Sequence, residues 1–186
     1  IFNKSLEVPF IKSCISNKKE VKEIITGKHT QLKGTSHENR YVEAVIHFAA
    51  YSIVQESIEN PISYYKNNVS KSVTLLETIY DQNIEPNKKK IPFIFSSTCS
   101  AYGISNNFPI SEDYPQRPLN PYAKSKYFLE EIIKDLSCAQ NFKSLALRYF
   151  NVAGASKDLL IGENRAYETH LIPLAINTAL GLKDYL

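Results

Sequence analysis

The chain has no methionine, no tryptophan and only 6 glycines among its 186 residues. A Gly-rich turn of the G-x-x-G-x-x-G or G-x-G-x-x-G kind, which lets backbone amides approach a pyrophosphate, is therefore missing. The acidic residue expected about 20 positions beyond such a turn is missing with it. Cysteine is sparse as well: three residues without paired spacing exclude a disulfide framework or a zinc ribbon and suit reduced thiols in the cytosol. No apolar stretch approaches the ~18 residues of a membrane span, and no signal-peptide pattern is present. Neither sign of charge dominates. The formal net charge of +3 comes from 22 basic and 19 acidic residues spread along the chain, which argues against a nucleic-acid footprint. The Lys88-Lys89-Lys90 run after Glu85-Pro86-Asn87 reads as a solvated surface turn. With 43% apolar and 22% charged residues the composition is that of a globular protein rather than a disordered one.

What the chain does have is a constellation of polar side chains. Tyr122 and Lys126 stand four residues apart in Tyr122-Ala123-Lys124-Ser125-Lys126. That spacing is about one helical turn, so phenol and ammonium share a face. A neighbouring cation favours phenolate, and an unperturbed tyrosine, with a pKa of about 10, needs such help to serve as a base near neutrality. Ser96-Ser97-Thr98 closes a strand-like run ahead of this pair, and Thr98 offers a hydroxyl to relay a proton. By itself Y-x-x-x-K fits an ordinary amphipathic helix equally well.

The flanks decide between the two. Val45-Ile46-His47-Phe48-Ala49-Ala50 and Phe93-Ile94-Phe95-Ser96-Ser97-Thr98 are apolar runs of strand length that turn small or hydroxylated at their carboxyl ends. Open α/β sheets bind ligands there. Between them, Asn60-Pro61 predicts a helix start, with Ile62, Tyr65, Val69, Val73, Leu76 and Ile79 as its buried stripe. Asn120-Pro121 predicts a second helix with Leu129, Ile132, Ile133 and Leu136 inward, and Ser144-Leu145-Ala146-Leu147-Arg148-Tyr149-Phe150 a further strand. Repeated βαβ units imply an α/β fold, a Rossmann-like doubly wound parallel sheet with helices on both faces. With no Gly-rich turn and no Met at position 1, this sheet is expected to be incomplete at the N-terminus, the chain reading as an internal piece of a longer polypeptide.

The runs Val45-Ile46-His47-Phe48-Ala49-Ala50, Tyr64-Tyr65-Lys66-Asn67-Asn68-Val69, Phe95-Ser96-Ser97-Thr98-Cys99-Ser100-Ala101-Tyr102-Gly103, Pro121-Tyr122-Ala123-Lys124-Ser125-Lys126, Leu147-Arg148-Tyr149-Phe150-Asn151 and His170-Leu171-Ile172-Pro173 together resemble the extended short-chain dehydrogenase/reductase family, in its nucleotide-sugar epimerase branch. The resemblance implies that Tyr122 is the catalytic base, Lys126 its partner and a donor to the nicotinamide ribose, and Thr98 the hydroxyl beside the reacting sugar carbon. It implies bound NAD as cofactor, lined by Phe48, Ala49, Ala50, Asn67, Ser96, Tyr122, Lys126 and Phe150. A UDP-sugar substrate would meet Thr98, Tyr122, Asn151, His170 and Leu171. Residues 1–150 would form a partial NAD-binding domain and 151–186 the start of a substrate domain. A cytoplasmic homodimer, paired through the helices after Asn60 and Asn120, is the expected assembly, with no nucleic-acid or membrane partner and no metal.

Simple core roles remain open for Phe48 and Phe150. Asn67 and Asn68, adjacent in mid-helix where asparagine has poor propensity, call for a role beyond packing. Nucleotide-sugar dehydratases place an Asp-Glu pair after the threonine, whereas Cys99-Ser100 stands here, so elimination of water is disfavoured. The opening Val8-Pro9-Phe10-Ile11-Lys12-Ser13-Cys14-Ile15 is expected to form the family's third strand, and residues 26–40, with Gly27 and Gly34, a polar inserted loop. Another UDP-sugar 4-epimerase, or a non-catalytic remnant that keeps the fold, are the competing readings, and without the pyrophosphate turn the chain alone is expected to bind NAD weakly.

Overall fold

A computed structural model describes residues 8–185 apart from 87–88, 107, 159, 164 and 166–167. Two compact units divide the chain, Ile1–Tyr149 and Phe150–Leu186. The first is built on a parallel sheet of β1 (Val45–His47), β2 (Phe93–Thr98) and β3 (Ser144–Tyr149), in that spatial order. Parallel neighbours require crossovers, and helices supply them. Ahead of the sheet α1 spans Lys18–Ile25; α2 (Val54–Glu59), α3 (Pro61–Tyr64), a π-helical turn (Tyr65–Ser70) and α4 (Lys71–Asn83) run from β1 to β2. Helix α5 (Pro121–Gln140) connects β2 to β3. Asn120 caps α5 by accepting from the Ala123 N–H at 2.8 Å, Pro121 occupies its first turn, and Asn141 ends it in the left-handed region.

Side chains alternate across a strand, and β2 uses this to make the core. Phe93 and Phe95 point to one face and pack with Leu75, Leu76 and Ile79 of α4, Leu129 and Ile133 of α5, and Val21 and Ile25 of α1. Each such side chain contributes about 1.5–3 kcal/mol on burial. On the other face Ile46 and Leu145 remain exposed. The expected Rossmann-like α/β sheet is thus present as a three-stranded open parallel sheet whose helices, among the described residues of this unit, cover one face instead of both.

Several local expectations differ. Val8 to Ile15 forms no strand; among the described residues it has no ladder partner, and a strand without a hydrogen-bonded neighbour is not stable in water. Asn60 starts α3 without a side-chain cap bond. The predicted stripe slips by one residue in its first half: Tyr64, Asn68 and Ser72 face inward while Ile62 is 61% exposed. The π turn carries an extra residue, so the helical phase of Leu76 and Ile79 does not extend back through it. Residues 26–40 do form a loop, but one that closes on itself. The Asn39 N–H donates to the Gly27 carbonyl at 2.8 Å, and a Cβ on Gly27 would sit 2.4 Å from the Arg40 nitrogen. In the α4–β2 loop, residues Asn87 and Lys88 lie outside the described residues. In the second unit α6 (Leu171–Ala179) follows an isolated antiparallel bridge between Ala155 and Gly162. No helix among the described residues is long and apolar enough to cross a membrane.

His47 ends β1 on the helix-covered face, its Nε2 2.8 Å from the Ser72 hydroxyl and its ring 6.0 Å from that of Phe95. Burial, reinforced by the Lys126 charge, lowers its pKa from 6.5 to about 4. Between these values the unfolded chain binds the proton and the native one does not, so stability falls as pH drops from 6.5 to 4. Replacing His47→Phe should flatten this acid limb by up to roughly 3 kcal/mol at pH 4, read from urea midpoints across that interval. Parallel profiles for the two proteins would contradict it.

Candidate active site

The carboxyl end of β2 and the first turn of α5 meet at the groups singled out above. Thr98 ends β2, and its Oγ1 accepts from the Ser100 N–H at 3.2 Å, capping the 3-10 turn Cys99–Tyr102. Its side chain also acts on the Tyr122 phenol, working against the rise that burial imposes on that group's pKa. Gly103 closes the turn at φ 73°, where a Cβ would stand 2.3 Å from the Arg117 carbonyl oxygen. A residue with a side chain would push this turn, and Thr98 with it, out of place.

Lys126 is 5% exposed. Its ammonium donates to the Ser96 carbonyl at 2.8 Å and lies 5.0 Å from the centre of the Phe95 ring. Burial lowers its pKa from 10.5 to about 8. Tyr122 shows a different balance from the one its spacing suggests. Burial raises the phenol above its ordinary value, the Thr98 hydrogen bond opposes this, and the Cys99 thiol beside it adds to the rise. Within the chain the ammonium is directed at Ser96, so Thr98 is the group that works toward phenolate.

A second tier of contacts holds this arrangement. Ser97 points beneath the site and its hydroxyl donates to Glu130 of α5. Arg148 of β3 grips the same carboxylate in a fork, Nε to both oxygens at 3.1 Å and Nη2 to Oε2 at 2.7 Å. Its Nη1 donates to the Tyr102 hydroxyl at 2.8 Å and the Glu112 carbonyl at 3.0 Å. Pairing with Glu130 drives the guanidinium pKa above its already high ordinary value. The network joins two strands, the 3-10 turn and α5. The sequence signal for it is Glu130 one turn beyond Lys126, on the same helix face, and an arginine inside an otherwise apolar strand.

Of the remaining predicted residues, Phe48 and Ala49 lie exposed just past β1, Ala50 is half-buried, and the Phe48 ring is 6.4 Å from that of Tyr149. A simple core role for Phe48 does not hold. The Asn67 Oδ1 accepts from Lys71 at 3.1 Å and its Nδ2 donates to Asn68 at 3.2 Å. Phe150, Asn151, His170 and Leu171 belong to the second unit. Phe150 is exposed there; His170 Nδ1 is 2.7 Å from Glu163, which also holds Arg165 at 2.9 Å, and Leu171 is the first, exposed residue of α6. Sequence reasoning alone assigns no site role to Asn68, Ser125, His47, Glu130 or Arg148.

Chemically the site is a hydroxyl and a phenol with a buried cation, at the carboxyl end of β2 and the first turn of α5. It can accept and return a proton at one oxygen. The donor set suits the nicotinamide end of a dinucleotide: an ammonium and hydroxyls for a ribose, and small residues at the strand ends for a flat ring. It offers nothing for the pyrophosphate, whose Gly-rich turn this chain lacks.

Comparison with known proteins gives a consistent picture. Residues 7–185 match the family model for the NAD dependent epimerase/dehydratase family. A UDP-glucose 4-epimerase of Streptococcus mutans is 45% identical over 147 residues, covering 79% of this chain and 42% of that protein. The crystal structure of UDP-glucose 4-epimerase from Brucella ovis in complex with NAD superposes with a TM-score of 0.77 at 36% identity, covering 95% of this chain and 49% of that one. That of the Bifidobacterium longum enzyme in complex with NAD+ and UDP gives 0.74 at 29% identity, over 92% and 47%. The chain thus spans less than half the length of these relatives.

The buried ammonium generates a test. Between pH 8 and 10.5 the unfolded chain holds the Lys126 proton that the native chain has released, so this residue's contribution rises with pH over that window. Relative to Lys126→Met, the unsubstituted protein should gain stability by up to roughly 3 kcal/mol from pH 8 to 10.5. Denaturant titrations of both proteins give the difference, and a constant offset would show that the ammonium is not buried.

Proposed function

The chain belongs to the NAD dependent epimerase/dehydratase family, and from that premise we propose that it carries the catalytic part of a UDP-glucose 4-epimerase, interconverting UDP-galactose and UDP-glucose. The observation that carries this reading is the buried Lys126 ammonium, held on the Ser96 carbonyl near the end of the strand that Thr98 closes and one helical turn from Tyr122.

NAD bound here supplies the acceptor and donor of hydride, and the positive charge of its oxidised ring draws the phenol toward phenolate. Lys126 and Tyr122 would hold the ribose next to that ring, with Ser96, Asn67 and the exposed Phe48-Ala49-Ala50 segment along the cofactor. Tyr122 takes the proton of the sugar 4-hydroxyl, directly or through Thr98, as hydride leaves the same carbon. The phenol then holds that proton while the 4-keto sugar turns over, and returns it when hydride arrives on the other face. No net redox change results. Asn151, His170 and Leu171 are assigned to the uridine nucleotide.

Cys99 and Ser100 supply neither the acid nor the base that eliminating water from the sugar requires, so dehydration is disfavoured. A non-catalytic module is disfavoured too, because burying Lys126 without an opposing charge lowers stability, a cost that a purely structural fold has no reason to retain. For assembly we infer a homodimer through the outer faces of α3, the π turn and α5, where Ile62 and Phe128 are exposed and Tyr65 stacks on Phe128 at 6.0 Å. Three free thiols suit the reducing cytosol.

In the complete gene product loaded with NAD, conversion of UDP-galactose to UDP-glucose tests the reading. Tyr122→Phe should leave folding intact and cut turnover by several orders of magnitude. Thr98→Ala should cost less and Thr98→Ser almost nothing. A Tyr122→Phe enzyme within tenfold of the parent would sink the assignment of the base.

A further inference from the structure

The side chain of Asn68 is 2% exposed and saturated with partners. Its Oδ1 accepts from the Tyr51 N–H at 2.8 Å and from Asn67 Nδ2 at 3.2 Å, while its Nδ2 donates to the Tyr51 carbonyl at 3.0 Å and to the Ser125 hydroxyl at 3.0 Å. A primary amide offers two donor hydrogens and two lone pairs. All four are spent. Asn68 therefore does not reach a ligand; it joins parts of the protein to each other.

Those parts lie on opposite sides of the site. Tyr51 directly follows Phe48-Ala49-Ala50, the segment assigned above to the cofactor, and is gripped on both its N–H and its C=O as a neighbouring strand would grip it. Two residues on, the Ile53 N–H donates to the Tyr64 hydroxyl at 3.0 Å, so α3 restrains the same loop. Ser125 is fully buried in α5, adjacent to Lys126, and its hydroxyl donates to the Tyr122 carbonyl at 2.7 Å. One side chain thus links the loop after β1 to the helical turn that carries Tyr122 and Lys126. An apolar replacement of similar volume would release the Tyr51 N–H and carbonyl from this partner and leave the buried Ser125 hydroxyl with its bond to the Tyr122 carbonyl but no donor from the loop.

We propose that Asn68 is a positioning residue that, through Ser125 and Tyr51, fixes the separation between the catalytic turn of α5 and the cofactor-side loop after β1. The epimerase reading supplies what is being positioned, a proton acceptor against a hydride acceptor; the link itself stands on the hydrogen bonds. The proton must leave the sugar hydroxyl oxygen as hydride leaves the carbon that bears it, so an error of about 1 Å in that separation can cost on the order of a hundredfold in rate.

The test is a double-mutant cycle in the complete gene product loaded with NAD. Asn68→Ala should lower kcat for UDP-galactose between about tenfold and a hundredfold while KM moves less than about threefold, since the lost interaction acts on the reacting geometry rather than on substrate binding. Ser125→Ala should act in the same direction more weakly. The double variant should be no worse than Asn68→Ala, because both substitutions cut one link. Multiplicative losses, or an unchanged kcat with only a lower melting temperature, would overturn the proposal. If Asn68→Ala does not fold, Ser125→Ala decides alone: a fall in kcat at constant KM supports the link, an undiminished kcat refutes it. Should the unsubstituted protein convert no UDP-sugar, the epimerase reading fails separately. The link is then read from the Tyr122 phenol, titrated by ultraviolet difference against Tyr122→Phe, whose midpoint should shift in both Asn68→Ala and Ser125→Ala and would stay fixed in both if the proposal is wrong.

Discussion

Lys126 has almost no access to water, and no carboxylate is among the groups that hold it; a backbone carbonyl and an aromatic ring take that place. An ammonium so situated is under constant pressure to lose its proton or find solvent, and its pKa of about 8 records that pressure. The surroundings fit this demand. The Ser96 carbonyl lies one residue past the last pair of the β1–β2 ladder, His47 with Phe95, while the β2–β3 ladder runs on to Thr98. His47, packed against the same Phe95 ring, is held neutral by burial, and the Lys126 charge adds to this. The strand end, the helix start and the neutrality of one histidine are all compatible with a single charge kept out of water.

The carboxylate is nearby but committed elsewhere. Glu130 lies one turn along the helix from Lys126, yet it is engaged by the Arg148 fork and by Ser97. Had Glu130 paired with Lys126, the ammonium would have been neutralised and drawn down the helix, away from the strand end. Arg148 prevents this, because a planar guanidinium matches both carboxylate oxygens at once where an ammonium is a point charge. The buried ion pair therefore gives little direct measure of stability; its effect here is to segregate charge. It also fixes Ser97 and Tyr102, and so the turn that carries the Thr98 hydroxyl.

Much of this was legible in the sequence because it depends on local periodicity. Apolar runs ending in small residues marked β1 and β2, and Asn120-Pro121 with a stripe at Leu129 and Ile133 marked α5, since caps and the 3.6-residue period operate within one element. That Tyr122 and Lys126 share one helix was legible for the same reason, and Thr98 stood out as the hydroxylated end of a strand. What was not legible depends on neighbours. The stretch from Val8 to Ile15 has strand-like composition but no partner to pair with among the described residues. Ile62 carries the right residue type for a stripe that the π turn rotates away. The state of the phenol could not be read from the i to i+4 spacing, because spacing places two groups on one face but does not say which acceptor the ammonium will choose. Asn68 was visible only as an anomaly, a poor helix former in mid-helix, and the loop backbone at Tyr51 and the buried Ser125 that explain it come from distant parts of the chain.

The frame and the chemistry carried on it separate cleanly. In the proposed reading, strand ends, the buried lysine and the phenol would serve any reaction that begins by oxidising a sugar carbon. The fate of the oxidised sugar is decided by very few additional groups. Elimination needs an acid and a base next to the keto sugar, and the positions that would hold them begin the 3-10 turn as Cys99 and Ser100. Neither a thiol nor a hydroxyl there takes the place of a carboxylic acid as proton donor to a leaving hydroxyl. In the proposed epimerase reading, the keto sugar would then be left with return of the proton from Tyr122 and of hydride to carbon, on either face.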